Sequence, residues 1–243
     1  MKVTYLYHSG FLVEWEHCCF LFDYIKGDLP QAAFEKPLFV FVSHSHRDHF
    51  LPEIFRMLGE KEDVRFVLAK QIPMGAGRRK NLGLTPGQEE TLVRMGAGQK
   101  QTLPDGAGGE MEITTLSSTD MGVAFLVRYV GKTVYHAGDL NDWQWKGEDP
   151  AWNKGMRARY LRQMELLKGV EIDLAFVPLD PRQEEFAPCG LNALLESAEV
   201  KAVLPMHMWG KYEIGGWWKK EGGLPAQAHK LAEIETEGQQ FEF

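Results

Sequence analysis

Four side chains able to bind a transition metal fall within six positions, His44-Ser45-His46-Arg47-Asp48-His49. Imidazole nitrogen and carboxylate oxygen are the donors that suit Zn²⁺ and its neighbours. His44 and His46 lie two residues apart and share one side of an extended segment. Asp48 and His49 follow as the chain turns, so the spacing offers two adjacent ligand sets. A divalent ion held this way brings the pKa of its bound water from 15.7 down toward ~7 and polarises a carbonyl or phosphoryl oxygen. Hydrolysis is one chemistry that such residues could serve. A polar turn capping a helix would leave most of the four unexplained. Other histidines differ in their surroundings: His8 lies in a turn, His136 three residues before Asp139, and His17 and His229 have no metal-like neighbours, which predicts surface positions.

The elements that must position the cluster alternate in type. Residues 3–7, 11–16 and 18–23 read as short strands, with His8-Ser9-Gly10 as the turn between the first two. Residues 37–43 are a continuous apolar run, which suits a strand covered on both faces. The histidine cluster begins at the end of that run, and strand ends in layered α/β proteins are where sites gather. A short helix is predicted over Glu53 to Gly59 and a strand over 64–70. Residues 71–109 are Gly-rich and read as loop, with neither a phosphate loop nor a dinucleotide fingerprint. Strands follow at 110–116, 122–130 and 132–137. A helix over 151–168 carries the apolar stripe Trp152, Met156, Tyr160, Met164 and Leu167. A strand at 173–177, a helix at 188–197, a strand at 200–206, a helical stretch at 225–234 and a closing strand at 239–243 complete the chain. No linker or repeat divides it, so residues 1–243 are expected to form a single domain of sheets covered by helices.

The pattern His-x-His-x-Asp-His after a buried strand resembles the hallmark of the metallo-β-lactamase fold. Tyr135-His136-Ala137-Gly138-Asp139 is similar to that family's Gly-Asp step, and Pro205-Met206-His207 to its last ligand. The His8-Ser9-Gly10 hairpin and Leu21-Phe22-Asp23 also match. The resemblance spans roughly residues 3–210 and is nearest to the ascorbate-6-phosphate-lactonase-like branch. It implies an α/β (α+β) four-layer αββα sandwich with one or two divalent metals at the edge between the sheets. It assigns His44, His46 and a bridging Asp139 to the first metal, and Asp48, His49, Asp139 and His207 to the second. Zn is the favoured ion, with Mn or Fe as alternatives. The chain departs from the family in one place: Leu116 stands where a further His is usual, and Asp120 or water is expected to fill the gap.

The resemblance further implies a metal-dependent hydrolase that uses metal-activated hydroxide on a small ester, lactone or phosphodiester. Asp48 would orient or deprotonate the water. His136 or His8 would stabilise the oxyanion or protonate the leaving group, and Asp23 would steady the His44 loop from outside. Six of the seven tryptophans follow residue 142, and Trp143 and Trp209 stand beside the predicted ligands. They, with Asp120 and with Arg182 as an anion clamp, are expected to line a substrate pocket. A non-catalytic or regulatory metal protein and a nuclease of the same fold are the alternatives. Against the nuclease, 34 acidic residues outnumber 27 basic ones, for a net charge of -7. The basic cluster Arg78-Arg79-Lys80 is small. No nucleic-acid partner is expected. Three cysteines make no disulfide framework, and no apolar run approaches the ~18–20 residues of a membrane span. A cytoplasmic protein acting on a small molecule is expected, its oligomeric state left open.

Overall fold

Strand Leu38–Val42 is buried along its whole length, as its unbroken apolar sequence requires. It lies inside a parallel run, between Cys19–Phe22 and Val64–Ala69, with Val93–Met95 beyond. The hairpin of Lys2–Tyr7 and Gly10–Glu14 extends this sheet, and Gln240–Glu242 closes its edge, giving seven strands. The computed structural model describes residues 1–243.

A second sheet of six strands starts with an antiparallel meander, Lys100–Pro104, Glu110–Ser117, Val123–Tyr129 and Lys132–His136. It then turns parallel through Leu174–Pro178 and Val203–Met206. The two sheets face each other across an apolar layer. Phe11 stacks on Phe176 at 4.1 Å, and Phe41 meets the edge of Phe125 at 5.4 Å. Helices Pro150–Glu165 and Cys189–Ser197 cover the second sheet, and short helices cover the first. The layer order is αββα. Pro150 starts its helix at a position where a missing N–H costs nothing, and Asp149 accepts the Ala151 N–H as N-cap.

Three strands, one of the first sheet and two of the second, end at one edge of the sandwich. Leu38–Val42 runs into Ser43 and His44, Lys132–His136 into Asp139, and Val203–Met206 into His207. Gly122 keeps the sheets close there. A Cβ at this residue would lie 2.0 Å from the Ser43 carbonyl oxygen, and its φ of +87° is open to glycine.

Two expectations need correction. Residues 71–109 are not plain loop: they hold helices Ala76–Leu82 and Pro86–Glu90 and strands Val93–Met95 and Lys100–Pro104. Gly83 in the left-handed region ends the first helix, and a capping box between Thr85 and Gln88 starts the second. At the C-terminal end, 225–234 is only a 3₁₀ turn, Pro225–Lys230. The helical turn lies earlier, at Glu213–Trp217. It is anchored by Trp218, which is fully buried and donates its indole N–H to Asn192 at 3.0 Å. No helix is long and apolar enough to cross a membrane.

Candidate metal centre

His44, His49 and His207 present the same arrangement. Each ring is tied down through Nδ1, leaving Nε2 free to face the others. His49 Nδ1 lies 2.7 Å from Asp23 Oδ2, and His207 Nδ1 lies 3.3 Å from Asp180 Oδ2. A carboxylate accepts only, so each Nδ1 carries the proton and each neutral ring has a bare Nε2. Ser43 settles the third ring. Its hydroxyl donates to Asp23 at 2.5 Å, so it accepts from His44 Nδ1 at 3.0 Å. The bare nitrogens then converge. His49 Nε2 and His207 Nε2 are 2.9 Å apart, and both are 3.1 Å from Asp139 Oδ1. His44 Nε2 is 3.2 Å from Asp139 Oδ2.

Lone pairs aimed at lone pairs need a cation among them. One proton between His49 and His207 serves that pair alone, and His44 Nε2 and Asp139 Oδ1 stay buried without a hydrogen-bond partner. The residues therefore fit a divalent metal. They form two groups whose ligand atoms lie within 4.8 Å of one another: His44, His46 and Asp139, and His8, Asp48, His49 and His207. Asp139 reaches both groups through its two oxygens, and His46 Nδ1 is 3.9 Å from Oδ2. All six residues predicted as ligands are brought together.

Electrostatics express the same demand. Burial works against charge on the His49 ring, but Asp139 and Asp23 outweigh it and push its pKa up to about 10. His207 is raised against burial by Asp139 and Asp180. Burial opposes ionisation of Asp139 too, yet the surrounding rings hold it well below the usual carboxylate range. Backbone strain gathers here: His8, Asp23, His207 and Trp209 all have φ between +39° and +64°.

His8 is placed differently from the role expected for it. It sits in the N-terminal hairpin turn, buried, with Nε2 unpartnered and 3.6 Å from Asp48 Oδ2. Burial outweighs Asp48 and pushes its pKa down to about 4, which leaves the ring neutral beside the ligands. Its ligand character had one signal in the sequence, the match of the His8-Ser9-Gly10 hairpin. His136 is not brought to the site. Its Nε2 faces the Ser9 carbonyl at 2.9 Å, its Nδ1 accepts the Gly138 N–H at 3.2 Å, and its ring stacks flat on Phe22. With both nitrogens engaged and no exposure, it cannot serve a leaving group. Asp23 steadies both loops, accepting from Ser43 and His49.

A cavity of about 320 Å³ opens over the cluster, and His46, Asp48, Asp139 and His207 form its floor. Asp120, Trp143 and Arg182 line it as expected, while Trp209 stands behind Arg182. Leu116 is buried, and Asp120 stands 3.8 Å from His46 Nδ1. Trp152 leaves the core stripe: it is 40% exposed and lines the cavity together with Met156 and Trp145. His17 and His229 are exposed as predicted.

No family model matches the chain. It is similar to a protein of Carboxydothermus hydrogenoformans named UPF0173 metal-dependent hydrolase, 27% identical over 85% of this chain and 84% of that one. A protein of the same name from Opitutus terrae is 31% identical over 57% of this chain and 63% of its own. Among solved structures, the metallo hydrolase Igni18 of Ignicoccus hospitalis superposes with a TM-score of 0.60 at 20% identity, covering 100% of this chain and 98% of that one. YhfI of Bacillus subtilis, a metallo-β-lactamase fold protein, gives 0.59 at 14% identity, covering 99% of each. The fold is that of the metallo-β-lactamases. In this metallo-β-lactamase fold the ligand cluster occupies the edge between the sheets, and its relatives by sequence carry the name of metal-dependent hydrolases.

Proposed function

We propose that this chain is a metal-dependent hydrolase of a small ester, lactone or phosphodiester. The observation that carries the reading is the convergence of bare His44, His49 and His207 Nε2 atoms on the two oxygens of Asp139. Zinc is the ion we expect, because imidazole and carboxylate donors suit it. When bound, such an ion lowers the pKa of water and polarises the scissile oxygen.

The chain's own residues do the rest. Asp139 holds the two ligand groups in one register. Asp23 and Asp180 fix the ring orientation of His49 and His207, so that neither ring must reorganise during reaction. Asp48 lies at the cavity floor with its side chain one-third exposed, and its carboxyl is held well below the usual range by His8, His49 and His207 despite burial. As an ionised acceptor facing the cavity, it orients the attacking water. His8 holds the turn against His207, whose backbone N–H donates to the His8 carbonyl at 3.3 Å. Of the family branches, the lactonase-like one is our assignment from the motifs.

The test is metal content and turnover together. Protein purified without chelator is expected to hold one or two divalent ions per chain and to turn over a lactone and ester panel. Asp139→Asn and His46→Ala are expected to lower both. If metal content and turnover are unchanged in these variants, the reading is wrong.

A further inference from the structure

The cavity has two halves of different chemistry. Opposite the ligands stand Trp143, Trp145, Trp152 and Met156. Trp143 and Trp145 stack in parallel, with 7° between their planes and centroids 6.0 Å apart. Trp152 and Met156 lie one turn apart on helix Pro150–Glu165 and face the same space. Two indole N–H groups at this wall are already engaged. The Trp143 indole donates to the Asp139 carbonyl at 2.9 Å, and the neighbouring Trp209 indole to Asp180 at 3.1 Å. Of the eight large apolar side chains left exposed on the molecule, Trp152 lines this cavity and Trp209 packs against its Arg182. Exposed aromatic surface at a cavity marks a binding surface.

The expectation that Arg182 clamps an anion does not fit. Its Nε bonds both oxygens of Asp180 at 3.0 Å, and Nη2 adds a third contact at 2.6 Å. Asp180 is fully buried, so its charge offsets the guanidinium where an anion would have to sit. The guanidinium carbon lies over the Trp209 ring, 4.2 Å from its centroid, extending the aromatic wall. No other Lys or Arg lines the cavity, and Asp120 adds a carboxylate at its rim.

We propose, resting on the hydrolase reading, that this site takes uncharged esters or lactones built on an aromatic ring, seated against Trp145, Trp152 and Met156, and disfavours phosphodiesters. The reaction breaks the acyl carbon–oxygen bond. The oxygen of water goes to the carbonyl carbon, one proton goes to the phenolic leaving oxygen and one to solvent, leaving a carboxylate.

The experiment compares dihydrocoumarin with δ-valerolactone, six-membered lactones that differ by a fused benzene ring, and adds bis(4-nitrophenyl) phosphate. Aryl lactones are intrinsically more reactive, so the readout is how the kcat/KM ratio changes between wild type and variant. Trp152→Ala is expected to lower the dihydrocoumarin preference ~10-fold, and Trp152→Phe to stay within ~3-fold of wild type. Binding of 2-naphthol to the full chain, followed by equilibrium dialysis, reports the seat without turnover. It is expected to saturate and to weaken ~10-fold in Trp152→Ala. Saturable naphthol binding with no turnover of any compound would support the aromatic seat and overturn the hydrolase reading. An unchanged ratio in Trp152→Ala, no saturable naphthol binding, or faster turnover of the phosphodiester than of dihydrocoumarin would overturn the proposal.

Discussion

Asp23 and Asp180 show how much of a metal centre lies outside its ligands. Each is fully or almost fully buried and spends its charge on a histidine Nδ1. Asp23 also fixes Ser43, and through it the tautomer of His44. Removing such a partner typically lowers metal affinity 10–100-fold. Asp23→Ala is expected to fall in or beyond that range, because it releases two rings rather than one; competition with a chromophoric chelator measures it. Asp180→Ala is expected to weaken metal binding and also to free Arg182 from Trp209. It should then improve binding of anionic competitors such as phosphate, which an inhibition assay would report. If phosphate inhibits wild type and Asp180→Ala equally, Arg182 is not neutralised as described.

At the scale of elements, two turns carry unusual weight. Gly122 precedes Val123–Tyr129 and brings that strand against Ser43, whose carbonyl accepts the Val123 N–H at 3.1 Å. A methyl group there meets backbone rather than a flexible side chain. Gly122→Ala is expected to destabilise the fold by ~3 kcal/mol or more and to displace His44, as overpacking at a strained φ does. Urea unfolding gives the first effect and metal content the second. The turn between Lys100–Pro104 and Glu110–Ser117 depends on Asp105, which accepts from Tyr129, Ala107 and Gly109 at 2.7–2.9 Å. Burial would raise its pKa, but these donors hold it below the ordinary value. A carboxylate depressed on folding contributes stability above the unfolded pKa of about 3.9, lost as pH falls through the folded value. Asp105→Asn is therefore expected to cost ~1–2 kcal/mol at pH 7 and little at the acid end. Equal losses at pH 7 and pH 3 in paired urea melts would contradict this account.

Over the whole molecule, the ligands join two sheets that otherwise meet through apolar contact. His8, His44, His46, Asp48 and His49 come from the first sheet and its loops, and Asp139 and His207 from the second. An ion bound to this set stabilises only the packed sandwich, by ~2.7 kcal/mol at a hundredfold excess over Kd. For a chain of this size that corresponds to a Tm difference of ~5–10 °C. Chelation is expected to lower the Tm by that amount, and His207→Ala to remove most of the response. A Tm indifferent to chelator would mean that the cluster does not bridge the sheets.

Much of this molecule could be read from local pattern. Ligand chemistry is carried by residue type, and four donors in six positions after an apolar run announce themselves. The strands at 37–43, 64–70, 110–116, 122–130 and 132–137 were legible because burial on one or both faces imposes a pattern, whereas the short strands Val93–Met95 and Lys100–Pro104 were not. The Thr85-Pro86-Gly87-Gln88 capping box was equally present in the sequence, yet its Gly-rich surroundings hid it. What local pattern could not hold was any property requiring distant partners. His136 lies three residues from Asp139 but faces Ser9 and Phe22 from the other sheet, while His8, remote in sequence, meets His207. Arg182 looked free until the fold buried Asp180 beneath it, and Trp152 looked like core until the helix carried it to the cavity rim. Sequence by itself determined which atoms can bind a metal and which strands deliver them. Only the tertiary structure decided which lone pairs are left without a proton and which charges are already matched, because both depend on side-chain orientation and burial, and the ligand rings themselves are brought together from as far apart as His49 and His207.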